Sequence, residues 1–140
     1  VKLIGSTPCS HIFLPFGSAY NGEFTYQDST KTYLRSQRGE AHTDVETGEQ
    51  LQFKNIIIQY VSMWEIKGDS SHRIDMTVVG KGSGQYITEG GIVPITWEKT
   101  SHLSPTIYRL ADGTKLQMNK GKTWIAVFPD DSRKKKVVIE

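Results

Sequence analysis

Residues 51–66, LQFKNIIIQYVSMWEI, decide how the rest of the chain has to fold. At strand periodicity Ile56, Ile58, Tyr60 and Trp64 fall on one face, and Ile57, Val61 and Met63 on the other. A strand apolar on both faces must be covered on both, which predicts a central strand.

Outward from this stretch the punctuation is that of a β protein. Turn signals fall at YNGE, TGE, KGDS, GKGSG, EGG, ADGT and NKGK. Between them lie short runs rich in β-branched and aromatic residues: EFTY, KTYLRS, HRIDMTVVG, GQYITE, IVPITWEK, PTIYRL, TKLQM and KTWIAVF. In HRIDMTVV, Ile74, Met76 and Val78 alternate with Arg73, Asp75 and Thr77, the pattern of a half-exposed strand. Pro94 cannot donate to a ladder, so its strand belongs at an edge or a bulge. No segment keeps an apolar 3.6 period long enough to predict a long helix. The fold class is therefore mainly β: a twisted antiparallel sheet, as an open barrel or a sandwich, with only short helical turns.

Residues 106–118 allow a register to be chosen. A two-residue turn at Asp112–Gly113 would set Arg109 opposite Leu116. A three-residue loop, Ala111–Gly113, pairs Leu110 with Thr114 and Tyr108 with Leu116 instead. It places Tyr108, Leu110, Leu116 and Met118 on one face, with Gly113 left-handed.

The chain has 140 residues, 36% hydrophobic and 23% charged, which suits a single globular domain. No apolar run is long enough to span a bilayer. The opening VKLIGSTP, without a Met or a leader peptide, points to a piece of a longer protein, with residues 1–20 a linker or first strand. Cys9 is the only cysteine, so no internal disulfide forms, which suits a reduced compartment or a disulfide-free exported domain equally. Its context, GSTPCSH, lacks the form of a lipid-attachment site. The net charge of +2 rests on RKKK at 133–136, in a basic tail spanning 131–140; without those four residues it is +2 − 4 = −2. A nucleic-acid surface would spread its basic residues along a face, so that function class is disfavoured.

The motif with the sharpest chemical reading is HTD. Facial-triad iron oxygenases use His-x-Asp and a distant His. His42, Asp44 and His102 can be fitted to that pattern, with Arg109 as a carboxylate anchor, giving a metal-dependent or hydrolytic enzyme as the alternative function. Against it stand the short chain and the turn-like VETGEQ that follows. The same residues also suit a loop: Thr43 and Glu46 stand at capping-box spacing for one helical turn, which Gly48 would end. GKGSG at 80–84 lacks the following helix of a phosphate cradle and reads as a hairpin connection. No nucleophile elbow is present, and no cofactor is expected.

The order of the motifs carries a resemblance. Tyr33-x-Arg35, Gly39-x-x-His42-x-Asp44, Thr47-Gly48 and Asn55 through Gln59 come first. Gly82-x-Gly84, Trp97-x-Lys99, Asp112-Gly113 and Asn119-x-Gly121-x-Thr123-Trp124 follow. This series resembles the carboxy-terminal domain of the YerB-like lipoproteins of Gram-positive bacteria, a domain of unknown function, over roughly residues 20–130. The resemblance implies an extracytoplasmic parent protein, held to the membrane only through a lipid anchor on an upstream part. It implies no activity. Arg35, His42, Asp44 and Asn55, flanked by Trp97 and Lys99, then form either a polar network or a groove. On this reading the domain is a non-catalytic binding or scaffolding module whose partner is a protein or a cell-wall polymer.

Overall fold

The computed structural model describes residues 6–15, 21–37, 40–43, 46–65, 74–76, 79–130, 134–135 and 137–140. In chain order the strands are β1 (Thr7–Pro8), β2 (His11–Pro15), β3 (Asn21–Gln27), β4 (Thr32–Gln37) and β5 (Glu40–Ala41). There follow β6 (Gln52–Phe53), β7 (Asn55–Val61), β8 (Met63–Glu65), β9 (Ile74–Met76) and β10 (Gly80–Thr88). The last four are β11 (Gly91–Lys99), β12 (Ile107–Leu110), β13 (Thr123–Pro129) and β14 (Val138–Ile139). One sheet runs β1-β11-β10-β7-β13, with β12 also on β11; a second runs β14-β2-β3-β4-β5, with β6 also on β4; β8 and β9 form a separate ribbon. The molecule is mainly β, and its sheets do not close into a barrel.

The 51–66 stretch is central, but as three strands rather than one. Lys54 sits at a bend where the chain leaves the second sheet (β6) and enters the first (β7). Both its amide and that of Asn55 donate to the Lys122 carbonyl, at 3.0 and 3.1 Å. Every residue of β7 is buried. Ile56, Ile58 and Tyr60 face the second sheet, joining Ile12, Leu14, Phe24 and Tyr33 in the main core. Ile57 faces the other way, into a smaller core of Tyr86, Val93 and Ile95 against which Tyr108, Leu110 and Leu116 pack.

The hairpin that supplies this outer cover has the expected register. Leu110 donates to Thr114 and Leu116 to Tyr108, Arg109 bridges Lys115, and Gly113 has φ +89°. Met118, expected on its apolar face, is exposed.

Several expectations are corrected. The sheet is not wholly antiparallel: β13 lies parallel to β7, with Trp124 beside Ile56. GKGSG is the first half of β10 and not a connection. A Cβ on Gly82 would sit 2.6 Å from the Trp97 indole nitrogen, and one on Gly84 would run into the Ile58 carbonyl. These glycines serve close approach rather than flexibility. Pro94 is at no bulge and on no outer strand. It occupies the gap on one flank of β11 between β1, which covers Gly91–Ile92, and β12, which covers Ile95–Glu98. The segment read as a linker or first strand contributes β2, whose Ile12 and Leu14 are fully buried, and the basic tail contributes β14, which pairs with it. The Arg73–Val78 alternation lies largely outside the described residues.

Polar pairs lock the turns to this frame. Glu89 and Gly90, with φ +47° and +80°, make the two-residue turn between β10 and β11. The Lys54 ammonium, 2.6 Å from Glu89, holds that carboxyl well below its ordinary range. Opening the pair with Lys54→Gln is expected to raise the Glu89 pKa toward 4.5, read by carboxyl NMR titration. With its folded pKa depressed, Glu89 contributes stability above the unfolded value, lost as pH falls through the folded one. The variant should lose that acid-side slope. Gly84→Ala, meeting backbone, should cost about 2–3 kcal/mol in urea denaturation. Gly113→Ala, strained only in φ, should cost about 1 kcal/mol.

Candidate functional site

Arg35 stands on β4 opposite Phe24 and points between the sheets, 7% exposed. Its guanidinium lies 4.1 Å from the Trp124 ring centroid and 5.1 Å from that of Phe24. Phe24, Phe53 and Trp124 meet edge-on around it, with centroids 5.2–6.3 Å apart. Gly22 leaves room for the group, since a Cβ there would lie 2.9 Å from Nη1. Nε donates to His42 Nδ1 at 3.2 Å, which places the proton of a neutral His42 on Nε2. Nη1 is buried without a hydrogen-bond partner, and burial lowers the Arg35 pKa. Stacking on ring faces offsets part of the cost of burying this cation.

The backbone around His42 is extended. His42 donates to the Arg35 carbonyl, Leu51 donates to His42, and Thr43 bridges Gln50. Glu46 and Thr47 form a turn and Gly48 is left-handed (φ +72°) as anticipated, while the first residues of the expected capped turn, Asp44 and Val45, lie outside the described residues.

Asn55 belongs to a different network. Its amide donates to the Asn119 carbonyl (2.7 Å) and Thr123 Oγ1 (3.3 Å), and its Oδ1 accepts from the Tyr86 hydroxyl (2.6 Å). That hydroxyl accepts the Asn119 amide, and the Asn119 side chain donates to Thr88. The set clamps the Asn119–Gly121 turn onto β7 and β10, with Gly121 at φ +136° against Lys54. Arg35 and Asn55 therefore lie on opposite faces of one sheet, because Trp124 points inward where its neighbour Thr123 points outward.

Trp97 and Lys99 are elsewhere again. Trp97 is buried and donates to the Tyr60 carbonyl at 2.8 Å across Gly82. Lys99 donates to the Ser104 carbonyl, tying down the exposed β11–β12 connection that carries His102. His42 and His102 thus sit in connections of different sheets.

Tyr33 was missed as a site residue. Its hydroxyl donates to Cys9 and accepts the Gly90 amide, joining the two sheets. Burial pushes the Cys9 thiol up to about 11, which leaves it un-ionised near neutrality. Tyr86, Thr88 and Asn119 were also missed. The signal available was Asn119-x-Gly121 next to a tryptophan strand.

A cleft of about 350 Å³ opens over β10–β12, lined by Lys81, Thr96, Trp97, Glu98, Ile107 and Arg109. A second, of about 310 Å³, lies by the β10–β11 turn, with Tyr26, Asp28, Lys31 and Glu89 at its wall. Asn55→Ala would strand the Tyr86 hydroxyl and the Asn119 carbonyl. The expected loss is about 2–4 kcal/mol in chemical denaturation, without displacement of Arg35.

Comparison with known proteins bears on this arrangement. The family model described as "Protein of unknown function (DUF3048) C-terminal domain" matches residues 12–125. The chain is 32% identical over 108 residues to "Putative lipoprotein YerB" of Bacillus subtilis (strain 168), covering 77% of this chain and 31% of that protein. A crystal structure of YerB protein from Bacillus subtilis superposes with a TM-score of 0.79 at 27% identity, over 96% of this chain and 45% of that one. The chain thus spans less than half the length of these relatives. It belongs to the family of DUF3048 carboxy-terminal domains.

Proposed function

We propose that the domain is a non-catalytic binding or scaffolding module of an extracytoplasmic, membrane-anchored lipoprotein, whose partner is a protein or a cell-wall polymer. The observation that carries this reading is where the family's polar residues are spent. Arg35, Asn55 and Trp97 are buried and bonded inside the fold: Arg35 to His42 and Trp124, Asn55 to Asn119 and Tyr86, Trp97 to Tyr60. Groups so engaged hold loops in place and present a rigid surface. The cleft over β10–β12 offers that surface Ile107 with Lys81, Glu98 and Arg109 around it, over the buried Trp97. Location outside the cytoplasm and a lipid anchor rest on the relative named as a lipoprotein.

The test separates binding from turnover. Purified chain should co-sediment saturably with isolated cell-wall material or bind an envelope protein, and should release no product from either. Elemental analysis of protein purified without a chelating tag, with His42→Ala and Asp44→Ala beside it, reads the enzymatic alternative. Stoichiometric iron or zinc lost in both variants, or turnover abolished by His42→Ala, overturns the proposal.

A further inference from the structure

β10, β11 and β12 lie side by side in the first sheet, and their registers fix which side chains share a face. Lys81 stands opposite Glu98, and Glu98 opposite Ile107. Two residues along, Ser83 stands opposite Thr96, and Thr96 opposite Arg109. These six residues make two cross-strand rows on one face. The same face carries Ile87 and Ile92 at its other end, where the second sheet covers them. Among the described residues that cover stops short of the two rows. Lys81, Ser83 and Thr96 are exposed, and the cleft of about 350 Å³ opens there.

The charges of this cleft are not spent on one another. Lys81 is directly opposite Glu98 and Arg109 is diagonal to it, yet the ion pairs among the described residues include neither. Such a pair at a surface is worth little, so a ligand that takes its place displaces little. Arg109 Nη1 donates to the Gly113 carbonyl at 3.1 Å, which anchors the guanidinium on its own hairpin and leaves its other N–H groups for a ligand. The backbone spacing is about 5 Å from Lys81 to Glu98 and about 7–8 Å from Glu98 to Arg109. The cleft thus offers positive, negative and positive groups in that order, beside the apolar wall of Ile107.

We infer that this cleft binds a short acidic peptide that carries a free ammonium between two carboxylates. Lys81 and Arg109 each take a carboxylate, the guanidinium by its planar fork, and Glu98 takes the ammonium. An uncross-linked cell-wall peptide has this chemistry: its diamino residue lies between the free carboxylate of a γ-linked glutamate and the terminal carboxylate. The assignment rests on the binding-module reading and names its partner. Glu98 is the residue that selects this partner over a phosphodiester polymer, which would hold anions against Glu98 and bring it no cation. The cleft is at the small end of ligand pockets, about 300–1,000 Å³, a size suited to a few peptide residues.

The test is an amide NMR titration with N-acetyl-alanyl-γ-glutamyl-lysyl-alanyl-alanine, with the same peptide acetylated on its lysyl side chain, and with polyphosphate. The free-ammonium peptide should shift the amides of Lys81, Thr96, Glu98 and Arg109 with Kd on the order of 1 mM. Acetylating the lysyl group should weaken it about fivefold. Glu98→Gln should weaken the free-ammonium peptide about fivefold and leave the acetylated one unchanged, whereas Arg109→Gln should weaken both. Polyphosphate bound more tightly than peptide, and more tightly still by Glu98→Gln, overturns the proposal. So does a cleft that the peptide leaves unshifted at about ten times that Kd. If the wild-type chain still sediments with cell-wall material in that case, only this assignment falls. If it sediments with nothing and binds no envelope protein, the binding-module reading falls with it.

Discussion

The structure depends on the burial of β7 on both faces. A strand of Asn, three isoleucines, Gln, Tyr and Val has no solvent side, so two unrelated pieces of chain must be brought to it. The second sheet covers Ile56, Ile58 and Tyr60, and the β12 hairpin covers Ile57. Each is secured by polar groups that reach across: Tyr33 from one sheet to the turn of the other, Asn55 to the loop ahead of β13.

These polar groups share a logic. Tyr33, Tyr86, Asn55 and Trp97 each satisfy a backbone carbonyl or amide that the ladders leave over. A hydrogen bond of this kind adds modest net stability but is costly to remove, because the partner left behind stays buried. The result is specificity of loop placement. Arg35 differs in being charged: its partners are ring faces and one imidazole nitrogen, and its Nη1 is unpaired. It packs the seam where the sheets meet beside β13.

Much of the frame was legible from residue pattern. The two apolar faces of β7 follow from strict alternation, and the Ala111–Gly113 loop follows from asking which register buries Tyr108, Leu110 and Leu116 together. What local pattern cannot carry is the identity of a distant neighbour. Gly82 and Gly84 read as turn residues until Trp97 and the Ile58 carbonyl are seen above them. The parallel pairing of β13 is invisible because parallel partners are joined by a long crossover, not a turn. Of the candidate site, Arg35 and His42 do meet. Asn55 was placed with them because it is close in the motif series, but a one-residue step from Trp124 to Thr123 reverses the face.

The closure of the second sheet by β14 has a kinetic consequence. Ser10 and His11 bond to Glu140, a span of 130 residues from Ser10, and β13 returns to β7 from well downstream, with Thr123 beside Asn55. Contacts so distant along the chain require most of the loop-closure entropy to be lost before they form. During synthesis β2 and β3 can pair early, yet β14, which completes their sheet, emerges after every other strand described here. Until then Ile12 and Leu14 lie beside an incomplete edge.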